Sequence, residues 1–367
     1  MRAVVFTGPG EPLEVEDLTL AAPKAGEVRV KLVGAGVCHS DLHVFKGDWN
    51  HRTPLVLGHE GAGVVTAVGP GVSSPAVGDH VILSWMPSCR ECRYCVAGKP
   101  QLCETAMNAV GSDAMFDGTT RLARADGSPV YHYLSAAVFA EEAVVPAAGA
   151  ITIRDDAPLE KVSIVGCAVA TGFGAVVNTA KMEWGSTVCV IGCGAVGLSA
   201  IQAARLCAAT RIIAVDVVDA KLDAAKAFGA TDVVDSSATD PVAAVRELSG
   251  GGVDYVLECI GLADTCEQAA AMLAFGGTAV VVGQPKAGTR PSYDALLLSC
   301  YEQRVIGSNY GSMRPSIDFP RLVDLYMDGR LMIDELITGH RPLDEAQAAF
   351  EDLMAGRAIR TVLDCGR

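Results

Sequence analysis

Four cysteines, Cys89, Cys92, Cys95 and Cys103, fall in a single C-x2-C-x2-C-x7-C run. That spacing lets one loop wrap four thiolates around a tetrahedral zinc ion and leaves no coordination position open. Disulfides are the alternative, but bridges between residues three apart close very tight loops, whereas a metal accepts the spacing. A closed site of this kind holds a fold together and does no chemistry. It therefore directs attention to a second metal elsewhere in the chain.

Length and charge narrow the field. A chain of 367 residues is expected to form two domains rather than one core. Half the residues are hydrophobic, with many Gly, Ala and Val, as in an α/β protein. The formal charge of −14, from 29 Lys and Arg against 43 Asp and Glu, argues against nucleic acid and against an anionic membrane as partners. No apolar run reaches the length of a membrane span. The N-terminal MRAVVFTGPGEP reads as strand and turn, without the basic and apolar regions of a signal peptide, so a cytoplasmic location is expected. Reduced thiols are then the reading for the thirteen cysteines. Cys189, Cys193, Cys207, Cys259, Cys266, Cys300 and Cys365 are expected to be small buried hydrophobes.

The character of the chain changes near residue 170. Before it, short Val-rich runs separated by Gly and Pro predict β structure. After it, apolar strands alternate with Ala-rich helical stretches. The strands read Thr187–Ile191, Arg211–Val215, Val253–Glu258, Thr278–Gly283 and Arg304–Gly307, with a helix over Ala195–Cys207. This rhythm predicts a doubly wound parallel sheet. Residues 310–367 carry helices at Ile317–Gly329 and around Leu343–Ala355 and a last strand, Arg360–Leu363, and are expected to return to the first domain. The fold class is α/β, with residues 1–169 and 310–367 as a mostly β domain and 170–309 as a dinucleotide-binding domain.

Gly192-Cys193-Gly194-Ala195-Val196-Gly197 is G-x-G-x-x-G, placed directly after the strand TVCVI and at the start of a helix. Glycine permits the tight turn and close approach of a pyrophosphate, and the helix N-terminus faces its charge. Asp216 closes the next strand, nineteen residues after Gly197. An acidic side chain there suits two ribose hydroxyls and repels a 2′-phosphate, and Val217 and Val218 add no positive charge, so NAD is favoured over NADP.

Three further segments hold isolated metal-ligating residues. Cys38 stands in Gly36-Val37-Cys38-His39-Ser40-Asp41-Leu42-His43, His59 in Gly58-His59-Glu60-Gly61-Ala62-Gly63, and Cys167 in Gly166-Cys167-Ala168-Val169-Ala170-Thr171-Gly172. Composition alone does not join them. Together with the four-cysteine run and the glycine fingerprint, and with G-H-E-x2-G-x5-G running from Gly58 to Gly69, the chain resembles the zinc-dependent medium-chain alcohol dehydrogenases over essentially its whole length. It is most similar to the class I and class III branch.

The resemblance implies a GroES-like catalytic domain, a Rossmann coenzyme domain and two zinc ions per chain. Cys38, His59 and Cys167 would hold the catalytic zinc, with the fourth position open to water or substrate. Asp41 would fix the tautomer of His59, and Glu60 would lie behind the metal. Ser40 would take the alcohol proton and His43 would pass it to solvent. His39 and Arg360 would meet the pyrophosphate, Thr171 and Val196 the nicotinamide, and Lys221 the adenosine ribose. Trp49, Trp85, Tyr133 and Leu134 would line an apolar, aromatic-walled substrate pocket.

Two departures from the family carry information. His39 stands where class I enzymes often carry arginine, and imidazole gives a weaker, pH-dependent grip. Class III enzymes hold the carboxylate of a glutathione adduct with an arginine four residues after the last structural cysteine, and here that residue is Met107. The expected activity is NAD-dependent oxidation of a primary alcohol with an apolar or aromatic tail. The alternatives are a thiol-dependent formaldehyde dehydrogenase, or a non-catalytic structural or redox-sensing protein on the same fold. The expected partners are a small alcohol or aldehyde and, as in dimeric relatives, a second copy of the chain meeting it near Arg304–Ser308.

Overall fold

The computed structural model describes residues 1–366, which divide into two compact units. One unit is Met1–Ala168 together with the C-terminal segment from Arg314, and the other is Val169–Met313.

The first unit is built around an eleven-residue strand, Glu27–Val37. One edge of this strand pairs antiparallel with Glu60–Val68. On its other edge, the first half takes Glu142–Pro146 and the second half takes Arg360–Asp364. Alternation in EVRVKLVGAGV buries Val28, Val30, Leu32, Ala35 and Val37 in one apolar core with Val65, Val81, Phe139 and Phe350. The glycines of the G-H-E-x2-G-x5-G run are required by close approach. A Cβ at Gly63 would overlap the Lys31 carbonyl oxygen, and one at Gly69 would overlap that of Lys24.

Register decides where the chemistry sits. Gly36 pairs with Glu60 and Val37 with Thr361, so residues 38, 59 and 360 collect at one end of the sheet. Cys38 then caps the helix His39–Phe45. The C-terminal helices are Pro315–Met327 and Ala346–Met354, the second entered through a 3-10 turn at Leu343–Glu345. A strand that the sequence pattern did not reveal, Ile337–Pro342, pairs parallel with Arg360–Asp364. Its residues alternate only between half-buried and exposed, so it lacks the apolar signature of a core strand.

The second unit is a six-stranded, all-parallel sheet. Its spatial order is Asp232–Asp235, Arg211–Asp216, Thr187–Ile191, Val253–Glu258, Leu273–Val281, Arg304–Gly307. The order reverses beside Thr187–Ile191, the strand that leads into the glycine turn. Asp232–Asp235 was not anticipated, because DVVD offers two apolar residues between two acids. Thr278–Gly283 is corrected to Leu273–Val281. The cysteine expectation is corrected as well: Cys300 is exposed, and Cys207 and Cys259 are half-buried. All thirteen cysteines are free thiols, so the four-cysteine run contains no disulfide.

Candidate active site and metal centres

Cys38, His59, Glu60 and Cys167 bring one ligand atom each to within 4.8 Å of one another, all of them buried. Asp41, wholly buried in the first turn of the helix after Cys38, ties this group together. Its Oδ2 accepts from the Cys38 backbone N–H at 3.1 Å and its Oδ1 from the Gly58 N–H at 3.0 Å. The same Oδ1 lies 3.2 Å from His59 Nδ1. With Nδ1–H donating to Asp41, the lone pair on Nε2 is left to face the sulfurs, and Nε2 is buried without a hydrogen-bond partner. Two sulfurs and an orphaned imidazole nitrogen fit a zinc ion with an open fourth position.

Glu60 stands behind these donors. Its Oε1 accepts from the Ala168 N–H at 3.0 Å, and its Oε2 is buried 3.7 Å from Arg360 Nε. Burial pushes this carboxyl up to about 7, against the opposing pull of the guanidinium. Gly36 makes the room, since a Cβ there would overlap Glu60 Oε2. The pyrophosphate role expected for Arg360 gains no support here. Arg360 is 3% exposed, donates from Nη1 to the Val37 carbonyl at 2.6 Å and lies beside Glu60.

Around this group stand several of the other residues singled out in the sequence. Ser40 Oγ lies 3.9 Å from Cys38 Sγ. His43 directs Nδ1 to Asp48 at 3.1 Å and stacks on Trp49, with ring centroids 4.6 Å apart. Tyr133 is fully buried and donates to the Ser40 carbonyl at 3.1 Å. Leu134 is half-buried with φ of 52°, a left-handed conformation uncommon outside glycine. Trp85 is also half-buried, and His39 is exposed at the first turn of its helix. Asp48 and His51 were missed by sequence reasoning. An aspartate ten residues beyond a ligand cysteine belongs to no spacing rule.

The second donor group is Cys89, Cys92, Cys95 and Cys103, again within 4.8 Å. The loop turns its own N–H groups onto these sulfurs: Cys89 N–H to Cys103 at 3.2 Å, Cys92 N–H to Cys89 at 3.3 Å and Ala106 N–H to Cys103 at 3.5 Å. Donors aimed at sulfur favour thiolates, the form that binds zinc.

In the second unit the glycine fingerprint is a turn with φ of +93° at Gly192, followed by the helix Ala195–Leu206. A Cβ at Gly197 would overlap the Gly192 carbonyl oxygen, whereas a Cβ at Gly194 would meet nothing within 4 Å. Gly197 thus serves the packing of helix on turn. Gly194 leaves open space at the helix N-terminus, the place a dinucleotide pyrophosphate takes. Asp216 Oδ2 accepts from the Cys193 N–H at 2.7 Å, and its Oδ1 accepts from Val217 and Val218 at 2.8 and 3.1 Å. These bonds fix the acidic strand end to the turn. Thr171, Val196 and Lys221 are each half-buried in this unit.

Residues 24–155 match the family model described as the alcohol dehydrogenase GroES-like domain, and residues 195–328 match that of the zinc-binding dehydrogenases. A probable S-(hydroxymethyl)glutathione dehydrogenase of Schizosaccharomyces pombe is 41% identical, over 100% of this chain and 97% of that protein. An S-(hydroxymethyl)glutathione dehydrogenase of Paracoccus denitrificans is 39% identical, covering 99% of each. Among solved structures, an alcohol dehydrogenase zinc-binding domain protein from Burkholderia ambifaria superposes with a TM-score of 0.96 at 38% identity, covering 99% of this chain and 98% of that one. Benzyl alcohol dehydrogenase from Acinetobacter calcoaceticus gives 0.94 at 35%, with the same coverage.

Proposed function

Since this chain belongs to the zinc-dependent medium-chain alcohol dehydrogenase family and is an NAD-linked oxidoreductase of that kind, we propose that its substrate is the S-hydroxymethyl adduct of a small thiol with formaldehyde. The adduct is a primary alcohol. Its oxidation yields the S-formyl thioester, with the hydride carried to NAD and one proton released. The support is that two relatives matched over essentially the whole chain bear that activity in their names. When bound, zinc supplies the Lewis acid that favours the deprotonated alcohol and NAD supplies the hydride acceptor.

The chain's own residues do the rest. Cys38, His59 and Cys167 hold the metal, and Asp41 keeps His59 in the tautomer that presents Nε2. Ser40 takes the alcohol proton, because a hydroxyl donates and accepts at once. His43 passes the proton outward, with Asp48 holding its Nδ1–H and leaving Nε2 to accept. Glu60, poised near neutrality beside Arg360, balances the charge behind the donors. In the second unit, Gly192, Gly194 and Gly197 with the helix N-terminus receive the pyrophosphate, Asp216 and Lys221 meet the ribose, and Thr171 and Val196 meet the nicotinamide. Cys89, Cys92, Cys95 and Cys103 hold a structural zinc. A homodimer through the edge strand Arg304–Gly307 completes the proposal, and sedimentation velocity tests it.

A second reading, an aromatic or apolar primary alcohol, is favoured by the benzyl alcohol dehydrogenase likeness and by the Trp49 ring against His43. NADH formation with formaldehyde alone, with formaldehyde plus a panel of low-molecular-weight thiols, and with benzyl alcohol separates the two. Oxidation only when a thiol is present supports the adduct. Oxidation of benzyl alcohol with no thiol effect overturns it.

A further inference from the structure

The strand that leads into the glycine turn, Thr187–Ile191, lies between two strands that each end on an acid. Asp216 ends one, and its carboxylate ties that side to the turn. Glu258 ends the other, Val253–Glu258, and is wholly buried. A carboxylate taken out of water is costly unless donors surround it. Glu258 Oε1 accepts from the Ile260 N–H at 2.9 Å, the Gly261 N–H at 2.8 Å and the Thr265 hydroxyl at 2.8 Å. Its Oε2 accepts from the Cys266 thiol at 3.8 Å. All of these donors come from the stretch that follows Glu258, so the carboxylate folds that stretch back over its own strand end.

The folded stretch presses on the glycine turn. A Cβ at Gly192 would meet Ile260 Cγ1 at 2.6 Å, so the Ile260 side chain fills the space that this glycine frees. Gly283 and Gln284 close the other side. A Cβ at Gly283 would overlap the Gly261 nitrogen, and one at Gly261, where φ is +90°, would meet the Gln284 carbonyl at 2.8 Å. The segment is thus held between two backbones for as long as its bonds to the carboxylate last. Ile260 is nonetheless 41% exposed, an apolar side chain beside the place a dinucleotide takes. Glu258 has no exposed surface and reaches a ligand only through this segment.

We propose that Glu258 is a positioning residue for NAD. Its carboxylate holds the Ile260–Gly261 segment against the Gly192 turn and keeps one wall of the coenzyme site in place before the coenzyme arrives. A wall already in place removes the ordering cost that binding would otherwise carry. The role consists in accepting hydrogen bonds, not in supplying charge, so an amide oxygen at the same place performs it. The proposal rests on the coenzyme reading given above and is independent of which alcohol is oxidised.

The test measures NADH binding to the full-length zinc-loaded protein by fluorescence titration, and hydrogen exchange across residues 259–262 without coenzyme. Glu258→Ala is expected to raise the Kd for NADH roughly tenfold, the order expected when a segment loses its buried hydrogen bonds. Exchange at Ile260 and Gly261 is expected to quicken, with the zinc content unchanged. Glu258→Gln keeps the acceptor without the charge, and is expected to stay within about twofold of the wild type. Gly283→Ala crowds the same segment from the other side with Glu258 intact, is expected to raise the Kd too, and serves if Glu258→Ala does not fold. A purely structural role would lower Tm and leave the Kd of the folded protein as it was. An unchanged Kd in Glu258→Ala, or in Gly283→Ala where the first variant does not fold, therefore overturns the proposal. A Kd for Glu258→Gln as weak as that for Glu258→Ala also overturns it, because charge would then be what matters. A wild type that does not bind NADH overturns the coenzyme reading itself.

Discussion

Asp48 grips the outer ring nitrogen of His43 at 3.1 Å, while Trp49 covers one face of the same imidazole at a centroid distance of 4.6 Å. The ring is thus fixed in both tautomer and plane. Asp48→Asn is expected to lower kcat about tenfold, a fraction of what a complete proton-transfer group contributes, with little change in KM. Asp48 acts through His43, so His43→Gln combined with Asp48→Asn is expected to be no slower than His43→Gln alone. Steady-state kinetics on the four proteins checks this, and additive losses would refute the coupling.

Gly36 is where the metal donors and the sheet compete for space. Gly36→Ala puts a methyl onto Glu60 Oε2, with Ile164 at 3.0 Å closing the other side. Overpacking of this kind costs about 1–3 kcal/mol. The expected result is a lower Tm together with a lost or weakened zinc at Cys38, His59 and Cys167, while the four-cysteine site stays loaded. Zinc analysis per chain, expected to fall from two towards one, reads the outcome.

The two donor groups are expected to fail differently. Cys92→Ser removes one of four thiolates from a closed site, and is expected to release one zinc and lower Tm. Cys38→Ser is expected to abolish turnover and release the other zinc, with the circular dichroism spectrum unchanged. Retained activity in Cys38→Ser would refute the assignment of the catalytic site.

Acid sensitivity has a named source in His132. Its Nε2 accepts from the Arg121 backbone N–H at 3.0 Å. Burial, with the Arg121 charge nearby, pushes the imidazole down to about 3 from an ordinary 6.5. The unfolded chain takes up a proton in that window and the folded chain does not. Stability from this residue is therefore complete above pH 6.5 and declines as pH falls towards 3, by up to about 1.4 kcal/mol per pH unit. His132→Gln keeps an acceptor and does not titrate. Urea unfolding at pH 7.5 and 5.5 is expected to show the wild type losing about 1 kcal/mol more than the variant across that step.

Much of this molecule is legible in its sequence, because its ligands and glycines sit in short local patterns. The C-x2-C-x2-C-x7-C run closes on itself within one loop, and G-x-G-x-x-G needs only its own strand and helix to become a turn. What stayed hidden depends on pairing across long stretches of chain. Asp113 gains meaning only when it meets His51, sixty-two residues earlier. Arg360 follows from the register of Thr361 on Val37, which no local spacing encodes. The strand Ile337–Pro342 escaped because neither of its faces is fully buried, so the two-residue period carries little contrast.

The strand Arg360–Asp364 is laid beside Val37 more than three hundred residues after that position is made. During synthesis Val37 and Glu60 are made some three hundred residues before Arg360, while the intervening Val169–Met313 unit has all of its own strands in hand. The three donors are all made by residue 167, and what comes late is the guanidinium that lies beside the buried Glu60 carboxyl behind them. A chain lacking Arg360 would leave the Glu60 carboxyl buried with no cation beside it.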